Sequence, residues 1–284
     1  MKFSKYEATG NDFIMIDARR KVPPISPRIA REICARHTGI GADGIVLMEK
    51  SESADIGMRI INSDGSEAEM CGNGIRALFL FARDLGAIKK SNAKIETAAG
   101  IKYVSTYKRD DESEWIKVDM GKPHLLEKDI PMEGSPLSEV REVQISLGDA
   151  NVYATCLSMG NPHCVIFVED LEKYDVLNRG PLLENHPLFP NRTNVEFVEV
   201  ISPMALKLRV WERGVGETQS CGTGACAALV AANLKGLSGR HATVKVKGGS
   251  LEVEWAEDGT VFLAGPARFV FKGEFSMEED DEIF

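Results

Sequence analysis

Two stretches of this chain are apolar on nearly every side of a helix: Gly74-Ile75-Arg76-Ala77-Leu78-Phe79-Leu80-Phe81-Ala82 and Gly224-Ala225-Cys226-Ala227-Ala228-Leu229-Val230-Ala231-Ala232. A helix without a polar stripe cannot rest on a surface and must be enclosed by other elements. The runs of short, β-prone segments around each one predict a curved sheet wrapped about a central helix. Each helix is introduced by the same unusual junction, Cys71-Gly72-Asn73-Gly74 in one case and Cys221-Gly222-Thr223-Gly224 in the other, 150 residues apart. The matching continues outward: Glu67 pairs with Glu217, Ala82 with Ala232 and Gly86 with Gly236 at the same spacing. A repeated thiol at a helix start suggests one site built from two halves.

The chemistry of that junction follows from helix geometry. The first turn leaves backbone N–H groups without partners, and the macrodipole places partial positive charge there. A thiol at that point is expected to have a lowered pKa. The glycines behind it let a carboxylate or phosphate approach the exposed N–H groups. Two such starts would hold an anion between two thiols. That arrangement suits removal of a proton from one face of a carbon beside a carboxylate and its return on the other face.

The 284 residues, 43% hydrophobic and 27% charged, suffice for two domains with real cores. A net charge of −9 argues against nucleic-acid binding by bulk electrostatics. The acidic run Glu278-Glu279-Asp280-Asp281-Glu282 reads as a solvated end. Lys2 and Lys5 are followed only by the short apolar run Phe13-Ile14-Met15-Ile16, so no secretory signal is read and a cytoplasmic location is expected. Six cysteines without a CxxC pair, and only five histidines, point to reduced thiols and no metal site. Cys34, Cys156, Cys164 and Cys226 are assigned to packing.

Coarse patterning predicts strands at 2–6, 13–17, 44–49 and 58–62, a helix from Ser26-Pro27 to about Arg36, and a turn over Ala8-Thr9-Gly10-Asn11. Further strands are expected at 93–98, 101–107 and 114–120. The second half repeats the logic at 143–147, 151–158, 163–168, 194–201, 205–212, 242–247, 250–255 and 260–264. The halves join near Gly121-Lys122-Pro123, and a last strand at 268–271 could belong to either.

Other strings carry chemistry. Ser158-Met159-Gly160-Asn161-Pro162-His163-Cys164 is a turn in its bland reading; in its functional one Asn161 contacts a ligand and His163 tunes a thiol. Glu212-Arg213-Gly214 ends a strand before the second cysteine loop: Arg213 can grip a carboxylate and Glu212 an ammonium, a receptor for a zwitterionic end. Asn11, Asn62 and Asn194 stand at turns or strand ends and with Asn161 could form a polar cup that reads stereochemistry. No dinucleotide fingerprint, Walker loop or Schiff-base lysine is evident, so no cofactor is expected.

These strings, together with Gly10-Asn11-Asp12-Phe13 and Asn62-Ser63-Asp64-Gly65-Ser66-Glu67, give the chain a resemblance to the diaminopimelate epimerases over essentially its whole length. The resemblance implies two pseudo-symmetric α+β domains, 1–120 plus 266–284 and 121–265, each a curved, mostly antiparallel sheet or barrel around a central helix, with the site in the cleft between. It implies a cofactor-independent interconversion of L,L- and meso-diaminopimelate, serving lysine and cell-wall precursor synthesis, and a homodimer. Cys71 and Cys221 would be the two bases. The N–H groups of Gly72, Asn73, Gly222 and Thr223 would hold the reacting carboxylate. Asn11, Asn62, Asn161, Asn194, Glu212 and Arg213 would bind the rest of the substrate, with His163 and Glu212 tuning the thiols. Two departures stand out: some members carry Gln at Gly44, and some carry Tyr at a subunit contact where this chain has Phe271. Two alternatives remain open. One is a related racemase such as proline or hydroxyproline epimerase; the other is a non-catalytic amino-acid-binding protein with a redox-labile cysteine pair.

Overall fold

The computed structural model describes residues 1–109, 111–133, 142–148 and 151–276. The acidic run 278–282 lies outside them. The fold is mixed α+β and divides into two units, Met1–Val104 with the chain from Ala267 onward, and Ser105–Pro266. No helix among the described residues is long and apolar enough to cross a membrane.

In the first unit the sheet runs through strands Arg268–Glu274, Lys2–Ala8, Asn11–Asp17, Gly44–Glu49, Ile56–Asn62 and Asn92–Thr97. The hairpin after Lys2–Ala8 turns on Thr9 and Gly10, both at positive φ (54° and 81°), as a two-residue turn matched to strand twist requires. Two parallel steps interrupt the antiparallel order. Helix α1, Pro27–Cys34, bridges Asn11–Asp17 to Gly44–Glu49, and helix α2, Gly72–Asp84, bridges Ile56–Asn62 to Asn92–Thr97. Ser26 caps α1 through its hydroxyl.

The second unit repeats this order and extends it. Strands Val143–Ser146, Asn151–Ser158, Pro162–Phe167, Asn194–Ser202, Ala205–Glu212, His241–Val246, Gly249–Trp255, Val261–Gly265 and Glu114–Gly121 pair in sequence around it. Helices α3, Val176–Glu184, and α4, Gly222–Leu234, make the two parallel crossovers. The first unit ends earlier than residue 120, because Glu114–Gly121 pairs with Val261–Gly265 of the second unit.

Both apolar helices are enclosed. Helix α4 touches strands Asn151–Ser158, Pro162–Phe167, Asn194–Ser202, Ala205–Glu212, His241–Val246, Gly249–Trp255 and Val261–Gly265, so its own sheet curls around it. Helix α2 touches Lys2–Ala8, Asn11–Asp17, Gly44–Glu49, Ile56–Asn62 and Arg268–Glu274 in the same way. Residues 225–232 of α4 are all buried. Burying that many apolar side chains is the main favourable term in each unit.

Helix α3 and two short strands were not anticipated from sequence. Helix α3 contains Gly180-Pro181, which reads as a breaker; it forms because Asp175 caps it and Leu183 buries under the sheet. The short strands Glu67–Ala68 and Gly216–Thr218 are too brief to show a period. Helix α1 stops at Cys34, two residues before the expected end.

Candidate functional site

Each repeated cysteine is the N-cap of its helix. The Cys71 backbone is extended and its Sγ accepts from the Gly74 N–H at 3.3 Å; Cys221 does the same with the Gly224 N–H at 3.4 Å. The sulfur thus takes the place that a Ser or Asp oxygen usually fills. Glu67 and Glu217 have matching partners as well: Arg59 meets Glu67 at 3.5 Å, and Arg209 meets Glu217 at 2.7 Å. These ion pairs tie the strand before each junction to the short strand leading into it.

In the first unit Cys71 Sγ lies 4.0 Å from Asn11 Oδ1, and Asn73 Nδ2 donates to that same oxygen at 3.5 Å. The Asn11 amide is held from behind, its Nδ2 donating to Asp43 Oδ2. Asp43 belongs to a charged cluster with Asp12, Arg36 and Lys5, in which Arg36 reaches both carboxylates and Lys5 meets Asp12 at 2.7 Å. Burial pushes the Asp12 carboxyl up, but hydrogen bonds from Arg36 and Lys5 outweigh it and bring it down to about 2. Arg76, wholly buried in α2, donates to the Gly72 carbonyl at 3.0 Å, Asn73 Oδ1 at 2.9 Å and Thr9 Oγ1 at 2.7 Å. It therefore fixes the Asn73 side chain and the positive-φ turn residue together. Asn62 stands at the end of its strand, with Nδ2 donating to Ser66 Oγ at 3.0 Å.

In the second unit Cys221 Sγ lies 3.4 Å from Thr223 Oγ1, which accepts from Asn161 Nδ2 at 3.3 Å. Asn161 Oδ1 faces His163 Nε2 at 3.0 Å, and His163 Nδ1 faces Glu196 Oε1 at 2.7 Å. His163 and Glu196 are fully buried. Glu212 is held by the Thr218 hydroxyl at 2.5 Å. Burial raises the Glu212 carboxyl, opposed by hydrogen bonds from Thr218 and Cys221.

The expected lowering of the thiol pKa is corrected at Cys221. Burial pushes this thiol well above its ordinary value, the carboxylates of Glu212 and Glu196 push it further, and the Thr223 and Gly224 bonds only partly offset them. Desolvation of a thiolate outweighs one helix start.

Asn194 and Arg213 are placed less simply. The Asn194 amide is engaged with backbone on both sides, Nδ2 donating to the Pro162 carbonyl at 2.9 Å and Oδ1 accepting from the Arg213 N–H at 3.0 Å. The Arg213 side chain is exposed and donates to the Asn191 carbonyl at 3.3 Å. At Gly44 a Cβ would stand 2.9 Å from the Ile61 carbonyl oxygen, so in this backbone any larger residue there requires a shift. Asp43, Arg76 and Glu196 were not anticipated as site residues. For Arg76 and Glu196 the signal is where the repeat breaks: at the 150-residue offset Arg76 corresponds to Cys226, and Glu196 to Val46.

The structure thus gathers Cys71, Gly72, Asn73 and Asn11 in one unit, and Cys221, Gly222, Thr223, Asn161, His163 and Glu212 in the other. The family model for diaminopimelate epimerase matches residues 3–126 and 155–270. A diaminopimelate epimerase of Pelotomaculum thermopropionicum is 49% identical over 97% of this chain and 99% of its own. One from Moorella thermoacetica is 47% identical over 98% of this chain and all of its own, at 100%. Among solved structures, a PhzF-family phenazine biosynthesis protein of Bacillus anthracis superposes with TM-score 0.71 at 19% identity, covering 98% of this chain and 99% of its own. A probable proline racemase of Agrobacterium radiobacter gives TM-score 0.71 at 15% identity, covering 99% and 94%. The structural likenesses establish the shared fold, and the sequence matches, which run the length of the chain, establish that it belongs to the diaminopimelate epimerase family.

Proposed function

We propose that this protein is an isomerase that interconverts L,L- and meso-diaminopimelate by a two-base proton transfer, with Cys71 and Cys221 acting on opposite faces of the substrate α-carbon. The observation that carries the reading is the doubled N-cap thiol, each with its sulfur on a helix N–H. An amino-acid α-proton is weakly acidic. The charge that develops on removing it spreads into the neighbouring carboxylate, and the N–H groups of Gly72, Asn73, Gly222 and Thr223 are preorganised donors for that charge. No cofactor is needed if the donors and the exclusion of water carry the stabilisation.

Cys221, kept protonated by burial and by Glu212 and Glu196, enters as the proton donor. Cys71 then acts as the thiolate base, and the roles exchange when the reaction reverses. Asn11, Asn62, Asn161, Asn194, Glu212 and Arg213 bind the remainder of the substrate, including the distal zwitterionic end that distinguishes diaminopimelate from proline. His163 acts on Cys221 through Asn161 and Thr223.

We further propose that the enzyme works in the cytoplasm as a homodimer. The terminal strand Arg268–Glu274 supports the dimer: among the described residues it pairs on one side only, with Lys2–Ala8, and leaves Phe269, Val270 and Phe271 at 43–49% exposure.

The test is solvent deuterium exchange at the α-carbon of L,L-diaminopimelate under reducing conditions. Wild type is expected to exchange and epimerise, and Cys71→Ala and Cys221→Ala each to lose epimerisation by more than about a thousandfold. Near wild-type turnover in either variant overturns the two-base assignment. Saturable binding without exchange would identify an amino-acid-binding protein instead.

A further inference from the structure

Helix α3 ends on a carboxylate that the fold does not ask for. Glu184 is 6% exposed. Its Oε2 accepts from the Trp211 indole N–H at 2.8 Å, and its Oε1 from the Gly214 N–H at 2.8 Å and the Arg192 guanidinium at 3.2 Å. Each of those groups can only donate, so the direction of every bond is fixed. At the 150-residue offset Glu184 corresponds to Cys34, Arg192 to Ala42 and Trp211 to Ile61. The elements end in step, helix α1 on Cys34 as α3 on Glu184, and strand Ile56–Asn62 on Asn62 as Ala205–Glu212 on Glu212. In the first unit Cys34, Ala42 and Ile61 are buried together in one hydrophobic cluster. The same plan thus closes there with apolar side chains at these places, and a buried carboxylate in the second unit calls for a role.

The loop it faces supplies one. Arg213 and Gly214 lie between strands Ala205–Glu212 and Gly216–Thr218, in a turn closed by the Val215 N–H on the Glu212 carbonyl at 3.1 Å. The Arg213 N–H donates to Asn194 Oδ1 at 3.0 Å, and the next N–H, that of Gly214, donates to Glu184. The peptide planes on both sides of the Arg213 Cα are therefore pinned, which fixes the direction in which its side chain leaves the loop. Glu184 is itself held. An added Cβ at Gly180 would stand 2.6 Å from the Trp211 ring, so α3 lies directly on that indole. The segment after the helix folds back on the same residue, with the Thr193 N–H donating to the Glu184 carbonyl at 3.3 Å and Arg192 kept at a positive φ of 58°. That segment also supplies the Asn191 carbonyl that receives the Arg213 guanidinium. The first unit, which has Cys34 at the place of Glu184, carries Ser63 at the place of Arg213.

We propose that Glu184 is a positioning residue for Arg213: by holding the Gly214 N–H it keeps the guanidinium aimed at the distal carboxylate of the substrate. The inference deepens, and rests on, the reading of Arg213 as a group that binds that end of diaminopimelate. A guanidinium on a long flexible stem loses affinity when its base can swing, because binding must then recover one pose from many. Without the Glu184 acceptor the Gly214 N–H pairs with water, which an exposed loop allows, and the loop gives up its fixed pose. The reacting α-carbon is at the other end of the substrate, so the loss falls on binding and leaves the chemical step in place.

The experiment measures steady-state kinetics with L,L-diaminopimelate for wild type, Glu184→Met, Arg213→Ala and the double variant, alongside hydrogen exchange of the Gly214 amide by nitrogen-15 NMR. Methionine keeps the length of the side chain and removes both oxygens. The wild-type Gly214 amide is expected to be protected at least about a hundredfold despite its exposed position, and to lose that protection in Glu184→Met. Glu184→Met should raise KM about tenfold or more, with kcat within about threefold of wild type. The double variant should match Arg213→Ala within about twofold in KM, since two residues acting through one contact do not add. A Gly214 amide that exchanges freely in wild type overturns the proposal even if Glu184→Met does not fold. So does a loss confined to kcat, or a double variant in which the two effects multiply. A wild-type KM in Arg213→Ala removes the reading of Arg213 and this proposal with it, whereas a raised KM there with multiplying effects overturns the proposal alone.

Discussion

At the scale of single residues, burial governs the cysteines more than the helix ends do. Cys34, in the first unit's core, is pushed up from 9.0 to about 11, chiefly by desolvation. Cys164 and Cys221 are likewise raised, Cys164 first through its hydrogen bond with Cys156 and Cys221 first through burial. Such groups favour the protonated, folded form. Their stabilising contribution is complete below the unfolded thiol pKa near 9 and is lost as pH rises through the folded value. Melting temperature is therefore expected to hold between about pH 7 and 8.5 and to fall toward pH 11, with Cys34 alone accounting for roughly 2 kcal/mol. Differential scanning fluorimetry of wild type and Cys34→Ala checks this. The variant starts less stable, because it leaves a cavity, and should show a shallower alkaline decline; an equally steep decline contradicts the assignment.

Residue by residue, the sequence disclosed the thiols because they are repeated, and it hid Glu196 because strand periodicity misleads there. Glu196 interrupts the run Val195-Glu196-Phe197-Val198, where alternation would turn a glutamate outward. The strand is covered on both faces, and all of 194–198 is buried. Asp43 stayed hidden in a Gly-rich loop that has no periodic signal, although it fixes Asn11. The direction of the thiol shift was illegible for a plainer reason: a helix start can be read from a motif, whereas the depth of burial around it depends on strands distant in sequence.

At the scale of elements, the two helix starts are similar in shape but not in tolerance. At Gly74 an added Cβ meets the Met58 methyl at 3.2 Å, the flexible end of a side chain. At Gly224 it meets the Glu196 carboxylate at 2.8 Å, and that carboxylate is fixed by His163. Alanine gains about 1 kcal/mol over glycine inside a helix. Gly74→Ala should consequently be neutral within about 1 kcal/mol, and Gly224→Ala should cost about 1–3 kcal/mol through overpacking. Urea denaturation of the pair decides it; equal costs would mean that the Glu196 contact is not what constrains the second helix. The caps themselves were legible as motifs, and the apolar helix faces correctly foretold enclosure. Helix α3 was not, because a capped nine-residue helix with Gly180-Pro181 at its middle carries opposing local signals that only the packing of Leu183 resolves.

At the scale of the molecule, the exposed strand Arg268–Glu274 is the place to test assembly. Phe271 packs edge-on against Phe3, with ring centroids 5.8 Å apart, and still leaves 43% of its surface exposed. Light scattering is expected to give twice the chain mass for wild type and the single mass for Phe271→Glu, since a desolvated carboxylate in a dimer interface is costly. A wild-type monomer at micromolar concentration would refute the homodimer.

The same strand sets an order of events during synthesis. Lys2–Ala8 needs Arg268–Glu274 as its neighbour, so the first unit's sheet is incomplete until nearly the whole chain has left the ribosome. The second unit is one uninterrupted stretch, Ser105–Pro266, with all its own strands. Domains usually mature from the amino end as they emerge. Here the sequence of maturation is inverted: the half bearing Cys221 has everything it requires first, and the half bearing Cys71 waits with an open β-edge, the stage at which a nascent chain has most to gain from a chaperone.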